Sequence, residues 1–423
     1  MTITSNPQAA IQQAWSLERW LEYLAEVHPS EIELGLDRTA QVYSRLGINF
    51  SEKKVVTVAG TNGKGTTCAM IEQAVLMTGK SVAVYSSPHI LDYRERLRIN
   101  GDMLTEQQHC AAFLAVENVR GDTPLTYFEF ATLAAFVLIR DSLADILLLE
   151  VGLGGRLDAV NVVDPNIAVI TTIDLDHQAW LGDDREAIGK EKAGIFRPNI
   201  SAVIGDSSPP ESIFAAVQRC EIDASWQGQE FTYSQDEQGF HWRNQHRELL
   251  NLPQAKIPAQ NASTALQVID LLKLPLSEAN FRSLLANTSL PGRRQVIQHK
   301  PMVILDVAHN PQATRELVCE IQKLQYSSLY LVVSMLSDKD IAQSLRPLQK
   351  LNANWLISPL DVKRGAKPQQ LISVLDKEQK VLEFGQVKEA YQYALKSALK
   401  DDLIIVFGSF FTVAEVLKLI EKR

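Results

Sequence analysis

The sequence predicts an α/β protein with mainly parallel sheets and two domains. Short apolar runs alternate with helix-like stretches along the chain, which is typical of strand–helix–strand units. A glycine-rich loop follows the first of these runs, and a Pro-Gly turn interrupts the pattern near residue 291. At 423 residues the chain is too long for one ordinary core, so we expect a larger first domain and a smaller second one.

Composition and charge argue against several classes of protein. Hydrophobic residues make up 46% and charged residues 22% of the chain, as in folded globular proteins. The formal net charge of -8, without a basic cluster, argues against nucleic-acid binding. No secretory leader and no run long enough to span a bilayer are visible, so we expect no membrane partner. The four cysteines match neither a disulfide framework nor a metal site, which favours reduced thiols and a cytoplasmic location.

Each domain contains four apolar runs that predict buried strands. In the first domain they cover residues 55–58, 82–85, 146–149 and 167–170, and apolar spacing predicts a helix over 66–77. In the second domain they cover residues 302–305, 329–333, 355–357 and 403–407. Residues 231–233 and 240–242 are interpreted as short antiparallel strands. The predicted domains are residues 1–293 and 296–423.

The strongest local signal is the segment 60–67, with the sequence GTNGKGTT, which follows a strand and opens a helix. Such a loop turns backbone N–H groups and a helix N-terminus toward a polyphosphate, with Lys64 on the β- and γ-phosphates. The strict phosphate-loop pattern has glycine at the position of Val58 and Ser or Thr at that of Gly65, so it is met only approximately. The competing interpretation is a tight glycine turn. The placement favours a P-loop-type parallel-sheet domain that binds phosphate.

Polar residues also follow the ends of the other predicted strands of the first domain. Ser87, Glu150 and His177 come just after three of these runs, where ligands bind in open parallel sheets. Together they predict a Mg²⁺ environment beside the phosphate. Taken singly, the serine suits a turn, the glutamate a helix cap, and the histidine a structural role. Lys192 lies in a charged segment that suits a solvated helical turn. The composition around Lys192 and around Asn261 does not by itself indicate a function.

Nine short segments along the chain form a recognisable set, and in order they are GTNGKGTT at 60–67, YSSPH at 85–89, LTYFE at 125–129, EVGLGGRLDA at 150–159, DH at 176–177, KEKAG at 190–194, PGR at 291–293, DVAHNP at 306–311 and GSF at 408–410. In sequence and in order they resemble the folylpolyglutamate synthases of the Mur ligase superfamily, most closely the bacterial bifunctional members that also make dihydrofolate. The resemblance therefore covers essentially the whole chain. The family departs from the strict phosphate-loop pattern in the same way.

The resemblance implies a fold and a reaction. Residues 1–293 would be a domain like the Mur ligase central domain that binds ATP and pterin, and residues 296–423 a smaller, Rossmann-like glutamate-ligase domain. The enzyme would add L-glutamate to dihydropteroate, forming dihydrofolate, and to the γ-carboxylate of tetrahydrofolate, forming polyglutamates. ATP would activate the carboxylate as an acyl phosphate, with two Mg²⁺ ions. A monomer is expected.

The resemblance also implies roles for individual residues. Mg²⁺ ligands would be Ser87, Glu150, His177 and Lys192, the lysine as a possible N-carboxylated side chain. Lys64, Lys192 and His177 would act in catalysis. ATP would be held by Gly60, Thr61, Asn62, Gly63, Lys64, Gly65, Thr66, Asn261, Arg293 and Asp306. The pterin substrate would contact Thr126, Tyr127, Phe128, Glu129, Leu157, Asp158 and Ala159.

Three alternatives stay open at this point. A folylpolyglutamate synthase without dihydrofolate synthase activity would share most of these motifs. A Mur-type cell-wall ligase would share the chemistry, but we do not expect the segment 125–129 in it. A non-catalytic nucleotide switch would bind ATP alone, although it would need neither a second domain nor acidic groups at several strand ends.

Overall fold

The fold is that of a computed structural model, in which residues 12, 14–28, 30 and 32–421 are described. Residue contacts divide the chain into two compact units. The first contains the chain up to Pro88, Tyr93–Ile173 and Gly189–Thr288, and the second contains His89–Asp92, Asp174–Ile188 and the chain from Ser289 onward. The second unit thus starts before the predicted boundary at 293–296 and includes two earlier segments. One of these is held there by ion pairs from Asp174 and Asp176.

The described residues form the following strands and helices. The strands are β1 Lys54–Ala59, β2 Val82–Tyr85, β3 Leu97–Ile99, β4 Asp102–Met103, β5 Ile146–Glu150, β6 Ile167–Ile170, β7 Ser201–Ile204, β8 Asp223–Trp226, β9 Phe231–Asp236, β10 Gly239–Asn244, β11 Glu248–Leu252, β12 Gln295–His299, β13 Met302–Leu305, β14 Leu329–Val333, β15 Ala353–Ile357, β16 Lys380–Glu383 and β17 Leu403–Phe407. The helices are α1 Leu17–Glu26, α2 Asp37–Arg45, α3 Lys64–Met77, α4 Glu106–Arg120, α5 Tyr127–Arg140, α6 Gln178–Leu181, α7 Arg185–Lys192, α8 Glu211–Arg219, α9 Ala259–Leu271, α10 Glu278–Asn287, α11 Pro311–Ile321, α12 Ile341–Leu345, α13 Pro368–Ile372, α14 Val387–Ser397 and α15 Phe410–Glu421. Short 3₁₀ turns occupy Tyr93–Arg96, Ala159–Val162, Ala193–Ile195 and Leu348–Lys350.

The first unit is built on a sheet with the strand order β4-β3-β2-β5-β1-β6-β7-β8. The six strands from β2 to β8 in this order are parallel, and β3 and β4 are antiparallel. Helices α3 and α9 cover one face, where Val56, Val58 and Met70 share a core. Because β2, β5, β1 and β6 are neighbours and parallel, their carboxyl ends meet at one edge of the sheet.

A three-stranded antiparallel sheet, in the order β11-β10-β9, packs against α9 and α10 in the same unit. Its aromatic residues Phe231, Phe240 and Trp242 are fully buried and join the core of α3 and α9. Tyr233 pairs with Trp242 across β9 and β10. The antiparallel strands predicted at 231–233 and 240–242 are therefore confirmed.

The second unit contains a sheet in the order β12-β13-β17-β14-β15-β16, parallel except for β12. Both faces are covered. In β14, Leu331 and Val333 face the core under α11 and α12, whereas Val332 faces the core under α14 and α15. Burial on both faces explains why these strands are continuous apolar runs in the sequence.

The predicted α/β class and all eight apolar strand runs are confirmed. The sequence did not predict β3, β4, β7, β8, β11, β12 or β16, which are short, polar or at sheet edges. The predicted helix at 66–77 begins earlier, at Lys64, because Gly63 is its N-cap. None of the helices in the described part of the chain is long and apolar enough to cross a membrane.

Candidate active site

The glycine-rich loop 60–63 connects the end of β1 to the start of α3. Gly60 has φ +154° and Gly63 has φ +86°. A Cβ atom would lie 1.8 Å from Thr171 Oγ1 at the first position and 2.4 Å from Asn261 Oδ1 at the second. Both the backbone conformation and the close neighbours therefore require glycine at these two positions.

Lys64 is the first residue of α3, and its side chain folds back over the loop. Its Nζ donates to the carbonyl of Gly60 at 2.9 Å and to that of Thr61 at 3.3 Å. Gly65 and Thr66 complete the first helical turn, whose backbone N–H groups carry the positive end of the helix dipole. An ammonium and a helix N-terminus at one loop form a site suited to a polyphosphate.

Two threonines that follow β6 brace this loop from the neighbouring strand. The N–H of Thr61 donates to the Thr172 carbonyl at 2.7 Å, and the N–H of Asn62 donates to Thr172 Oγ1 at 3.1 Å. The Thr171 hydroxyl donates to the Asn62 carbonyl at 2.6 Å. These three hydrogen bonds fix the shape of the loop.

Asn261 of α9 braces the loop from the other side. Its amide is buried, lies against Gly63, and donates through Nδ2 to Thr66 Oγ1 at 2.9 Å. The family resemblance implies an ATP contact for Asn261, and the structure places its side chain against the glycine-rich loop.

Ser87 and Glu150 lie at the ends of two strands beside this loop. Glu150 is the last residue of β5, is 5% exposed, and pairs with Val58 of β1. Burial and then the Glu150 charge raise the pKa of the Cys68 thiol, which lies in α3. Ser87 follows the end of β2, the other neighbour of β5. The hydroxyl of Ser87 and the carboxylate of Glu150 thus lie at the same sheet edge as the glycine-rich loop.

Lys192 ends α7 and is only 3% exposed. A Cβ atom at Gly155 would lie 2.9 Å from the Lys192 carbonyl, so the turn after β5 packs directly on this end of the helix. The N–H of Arg156 donates to the Glu191 carbonyl at 2.8 Å. The backbone of Lys192 is therefore fixed against the turn that follows Glu150.

The donor set decides which metal these residues fit. In the part of the chain that the structure describes, no group of three His, Cys, Asp or Glu side chains could hold a metal ion. Glu150 offers a carboxylate and Ser87 a hydroxyl, and both are oxygen donors that phosphate oxygens and water can supplement. That is the usual coordination of Mg²⁺ at a nucleotide, so the residues fit a Mg²⁺ that arrives with ATP.

In the predicted pterin segment, Thr126 and Glu129 build the start of α5. The Thr126 hydroxyl accepts the N–H of Glu129 at 3.3 Å, and Glu129 Oε2 accepts the N–H of Thr126 at 2.8 Å, which is a capping box. Arg38 Nε donates to Glu129 Oε1 at 2.7 Å, and the Thr39 hydroxyl donates to the same oxygen at 3.1 Å. Both capping side chains are buried, and Tyr127 and Phe128 between them are partly exposed.

Tyr127 and Phe128 belong to an aromatic face near the ends of β2 and β5. The Arg96 guanidinium carbon lies 5.4 Å from the Tyr127 ring centre. Burial raises the pKa of Tyr127, and Arg96 partly offsets it. A Cβ atom at Gly152 would lie 2.6 Å from Phe128 Cζ, so this ring lies on the turn after β5. Aromatic rings with an adjacent cation are suited to a planar, acidic heterocycle.

Asp158 holds the turn after β5 in shape. Its carboxylate accepts the N–H of Leu153 at 2.8 Å and that of Val160 at 3.0 Å. Burial raises the pKa of Asp158 to about 6, although these N–H groups and the charge of Lys64 oppose the shift. Of its predicted neighbours, Leu157 is partly exposed and Ala159 is buried.

In the second unit, Arg293 precedes β12 and Asp306 follows β13. These two strands are antiparallel, and the start of β12 pairs with the end of β13. The Arg293 guanidinium carbon lies 4.8 Å from the Phe410 ring centre. Asp306 follows β13 and accepts the N–H of Arg294 at 2.9 Å and that of Ala308 at 2.8 Å. Burial raises the pKa of Asp306, and the nearby charge of Arg293 opposes it.

His177 lies in the segment that joins the second unit, with φ +52°, just before α6. Its N–H donates to Asp176 Oδ1 at 2.8 Å. Lys339 Nζ lies 2.6 Å from Asp176 Oδ1, and Asn310 Nδ2 donates to Asp176 Oδ2 at 3.0 Å. Burial alone would raise the pKa of Asp176, but the hydrogen bond from His309 and the charges of Lys339, His309 and His177 hold it well below its usual range.

The structure therefore gathers most of the predicted first-domain site residues along one sheet edge, and it adds residues that the sequence did not indicate. Thr171 and Thr172 directly follow β6, so the strand-end rule that selected Ser87 would have found them. Arg38 and Lys339 have no local signal, because their partners Glu129 and Asp176 are far away in the sequence. Arg96 lies over the rings of both Tyr93 and Tyr127, and only the first of these is near it in the sequence.

The chain matches two protein families. Residues 58–249 match the Mur ligase middle domain, and residues 292–410 match the Mur ligase glutamate ligase domain. The chain is 43% identical over 424 residues to the dihydrofolate synthase/folylpolyglutamate synthase of Escherichia coli strain K12, covering 100% of this chain and 99% of that protein. It is 38% identical to the protein of the same name in Haemophilus influenzae, covering 96% of this chain and 98% of that protein.

Solved structures give the same result. The chain is similar to E. coli FolC in complex with DHPP and ADP, with 42% identity and a TM-score of 0.93 over 97% of this chain and 99% of that one. It is also similar to the bifunctional folylpolyglutamate synthase/dihydrofolate synthase of Yersinia pestis complexed with AMPPNP and a Mn ion, with 45% identity and a TM-score of 0.92 over the same shares.

Proposed function

The chain belongs to the Mur ligase family and, within it, to the dihydrofolate synthase/folylpolyglutamate synthases, and from this premise we propose how its residues perform the reaction. It is an ATP-dependent ligase that adds L-glutamate to dihydropteroate and to the γ-carboxylate of tetrahydrofolate. The observation that carries the proposal is the rigid loop 60–63 with the Lys64 ammonium folded over it.

The reaction has two steps. A carboxylate oxygen of the pterin substrate attacks the γ-phosphorus of ATP, the bond to ADP breaks, and an acyl phosphate forms. The amine of L-glutamate then attacks the acyl carbon, phosphate leaves, the nitrogen loses a proton, and an amide remains. Lys64 and the N-terminus of α3 offset negative charge on the transferring phosphoryl group, so this loop contributes position and electrostatic stabilisation.

For the divalent metal we propose Ser87, Glu150, His177 and Lys192 as the protein ligands, with two Mg²⁺ ions. When bound, the ions would polarise the γ-phosphate oxygens and neutralise part of their charge. The strand-end positions of Ser87 and Glu150 support this assignment, as does the burial of Lys192 beside the turn after β5. An ammonium cannot bind a cation, so Lys192 would serve as an N-carboxylated side chain.

For ATP we propose the loop residues 60–66 with Asn261, and Arg293 and Asp306 from the chain after residue 288. The contacts of Asn261 with Gly63 and Thr66 support its role. The packing of Arg293 on Phe410 supports a fixed guanidinium. We also propose that residues 1–293 bind ATP and pterin and that residues 296–423 form the glutamate-ligase domain.

For the pterin substrate we propose the segments 126–129 and 157–159. The partly exposed rings of Tyr127 and Phe128, with Arg96 beside them, would contact the substrate directly. Thr126, Glu129 and Asp158 would act by holding these segments in shape, since their side chains are buried and bonded to the protein. Leu157 and Ala159 would line the same site.

One assay, run with three acids, separates this function from its alternatives. ADP release is measured with L-glutamate and dihydropteroate, tetrahydrofolate or a UDP-muramyl peptide, each tested separately, and we expect the first two acids to support it. Release with tetrahydrofolate alone would indicate a folylpolyglutamate synthase. Release with a UDP-muramyl peptide alone would indicate a cell-wall ligase, and no release with any acid would indicate a nucleotide switch.

We further propose that the enzyme acts as a cytoplasmic monomer without nucleic-acid or membrane partners. The net charge of -8 and the four free cysteines support this proposal. Sedimentation velocity with and without ATP tests the oligomeric state, and a concentration-dependent dimer would contradict it.

A further inference from the structure

One guanidinium joins the start of α5 to the segment that precedes α2, within the first unit. Arg38 Nε donates to Glu129 Oε1 at 2.7 Å and to Glu129 Oε2 at 2.9 Å. On its other side, Nη2 donates to the Glu33 carbonyl at 2.6 Å, and Nη1 pairs with the Glu33 carboxylate. The guanidinium is therefore held from both sides, which fixes the direction in which Nε points at Glu129.

Glu129 depends on this cation because it is buried. Its side chain is 5% exposed, and its other donors are the Thr39 hydroxyl and the N–H and hydroxyl of Thr126. These three donors are neutral. Without Arg38 the carboxylate would keep them but would be a buried charge that has lost its counter-ion, which is strongly unfavourable. We expect the side chain then to turn toward solvent, which takes its oxygens away from Thr126.

The start of α5 carries the two rings that the proposed function assigns to the pterin substrate. The hydrogen bonds between Thr126 and Glu129 form the capping box of this helix, and Tyr127 and Phe128 are its first two residues. A helix end that loses its cap is destabilised first in that turn. Loss of the cap would therefore move the backbone from which both rings project, whereas residues 130–137 are buried and would keep their places.

We propose that Arg38 is a positioning residue for the pterin substrate: through Glu129 it holds the first turn of α5 in the conformation that presents Tyr127 and Phe128. The proposal rests on the pterin role of these two rings in the proposed function. Arg38 itself need not contact the substrate. Because this hydrogen-bond network includes no residue of the loop 60–66, its effect should be confined to the two pterin acids and should not extend to ATP.

Steady-state kinetics of ADP release with the full-length protein tests the proposal by separating KM from kcat. We expect Arg38→Met to raise KM for dihydropteroate and for tetrahydrofolate about tenfold, less than the roughly hundredfold loss that a misplacement of about 1 Å can cause. KM for ATP should be unchanged. A loss of stability alone would reduce the active fraction, and hence kcat, without raising KM. Unchanged KM for both pterin acids in Arg38→Met would overturn the proposal.

Arg120→Met is the matched control in the same unit. Arg120 Nε pairs with Glu117 at 2.7 Å, both side chains are 13% exposed, and Nη2 donates to the Tyr23 hydroxyl at 2.8 Å. This network joins α4 to α1 and includes no residue of the segment 126–129. Arg120→Met should therefore leave KM for the pterin acids unchanged. A similar rise in KM would show that any broken ion pair of this unit has the effect, and the specific role of Arg38 would be rejected.

A double variant tests whether Arg38 acts through Glu129. Arg38→Met with Glu129→Gln removes both charges, and glutamine completes a capping box as glutamate does, so most of the rise in KM should be reversed. No reversal would show that Arg38 acts elsewhere, and the proposal would be rejected. If Arg38→Met folds poorly, Arg38→Lys decides the question. Its ammonium can reach Glu129 but has no second arm for Glu33, so KM should rise by less than with methionine, and an unchanged KM would overturn the proposal.

Replacement of the two rings distinguishes failure of this inference from failure of the proposed substrate site. If Tyr127→Leu with Phe128→Leu leaves KM for both pterin acids unchanged, the pterin role of these rings is wrong, and the inference falls with it. If that variant raises KM and Arg38→Met does not, the substrate site stands and only the positioning role of Arg38 is rejected.

Discussion

Gly63→Ala is the substitution for which the structure gives the clearest cost. Gly63 has φ +86°, and a left-handed conformation costs an alanine about 1 kcal/mol. The new Cβ would also lie 2.4 Å from Asn261 Oδ1, so the amide must move and lose its 2.9 Å hydrogen bond to Thr66. That hydrogen bond contributes about 1 kcal/mol. We therefore expect the region around α3 to lose about 2 kcal/mol of stability.

Gly79→Ala is the matched control at the other end of the same helix. Gly79 has φ +77°, but nothing lies within 4 Å of an added Cβ. It should therefore show the backbone cost alone, about 1 kcal/mol. Urea-dependent hydrogen exchange of peptides from α3 measures both variants locally, which avoids assuming that the two units unfold together.

The reasoning also predicts non-additivity and a functional difference. In an Asn261→Ala background the space is open and the hydrogen bond is already absent, so Gly63→Ala should then cost only about 1 kcal/mol. Gly63→Ala should raise KM for ATP, because the loop shape changes, and Gly79→Ala should not. Equal costs for Gly63→Ala and Gly79→Ala, or the same cost of Gly63→Ala in both backgrounds, would refute the steric argument.

Three further predictions concern single side chains. Lys64→Ala should abolish ATP-dependent amide formation with an unchanged circular-dichroism spectrum, and near-normal turnover would remove its role at the phosphates. Lys192→Ala should lose activity that acetate or bicarbonate partly restores; full activity without additives would rule out a required carboxylated lysine. Arg38→Met should lower the free energy of unfolding by roughly 3 kcal/mol, because Glu129 would be left buried without its cation. Arg19 forms an exposed ion pair, so Arg19→Met should lower the free energy of unfolding by less than about 0.5 kcal/mol. Urea unfolding measures both variants, and similar losses for the two arginines would contradict the prediction.

The strands of the fold were predictable where burial on both faces leaves an unbroken apolar run. β14 and β17 are such cases, since alternate side chains face opposite cores. β3 and β4 span Leu97–Ile99 and Asp102–Met103, too few residues for any period to be visible. β12 is an edge strand with polar residues, so its sequence does not differ from that of a loop.

The positions of the candidate site residues were predictable where they follow from strand order. Ser87 and Glu150 were selected because parallel strands end at one edge, and the loop 60–63 because a glycine-rich segment lies between a strand and a helix; the structure places all three at that edge, and their roles stay predictions. The attachment of Asp174–Ile188 to the second unit was not predictable. It depends on ion pairs such as Asp176 with Lys339, which are 163 positions apart and carry no local pattern. The same holds for Arg38 with Glu129, 91 positions apart.

The central claim is that the pterin carboxylate is activated by direct phosphoryl transfer from ATP bound at the loop 60–63. The most direct measurement uses dihydropteroate labelled with ¹⁸O in its carboxylate, with ATP and L-glutamate, and analyses the released inorganic phosphate by mass spectrometry. One carboxylate oxygen becomes the bridge of the acyl phosphate and leaves with phosphorus, so each phosphate released with a dihydrofolate should contain one ¹⁸O atom. Phosphate without ¹⁸O, while dihydrofolate is formed, would contradict the account.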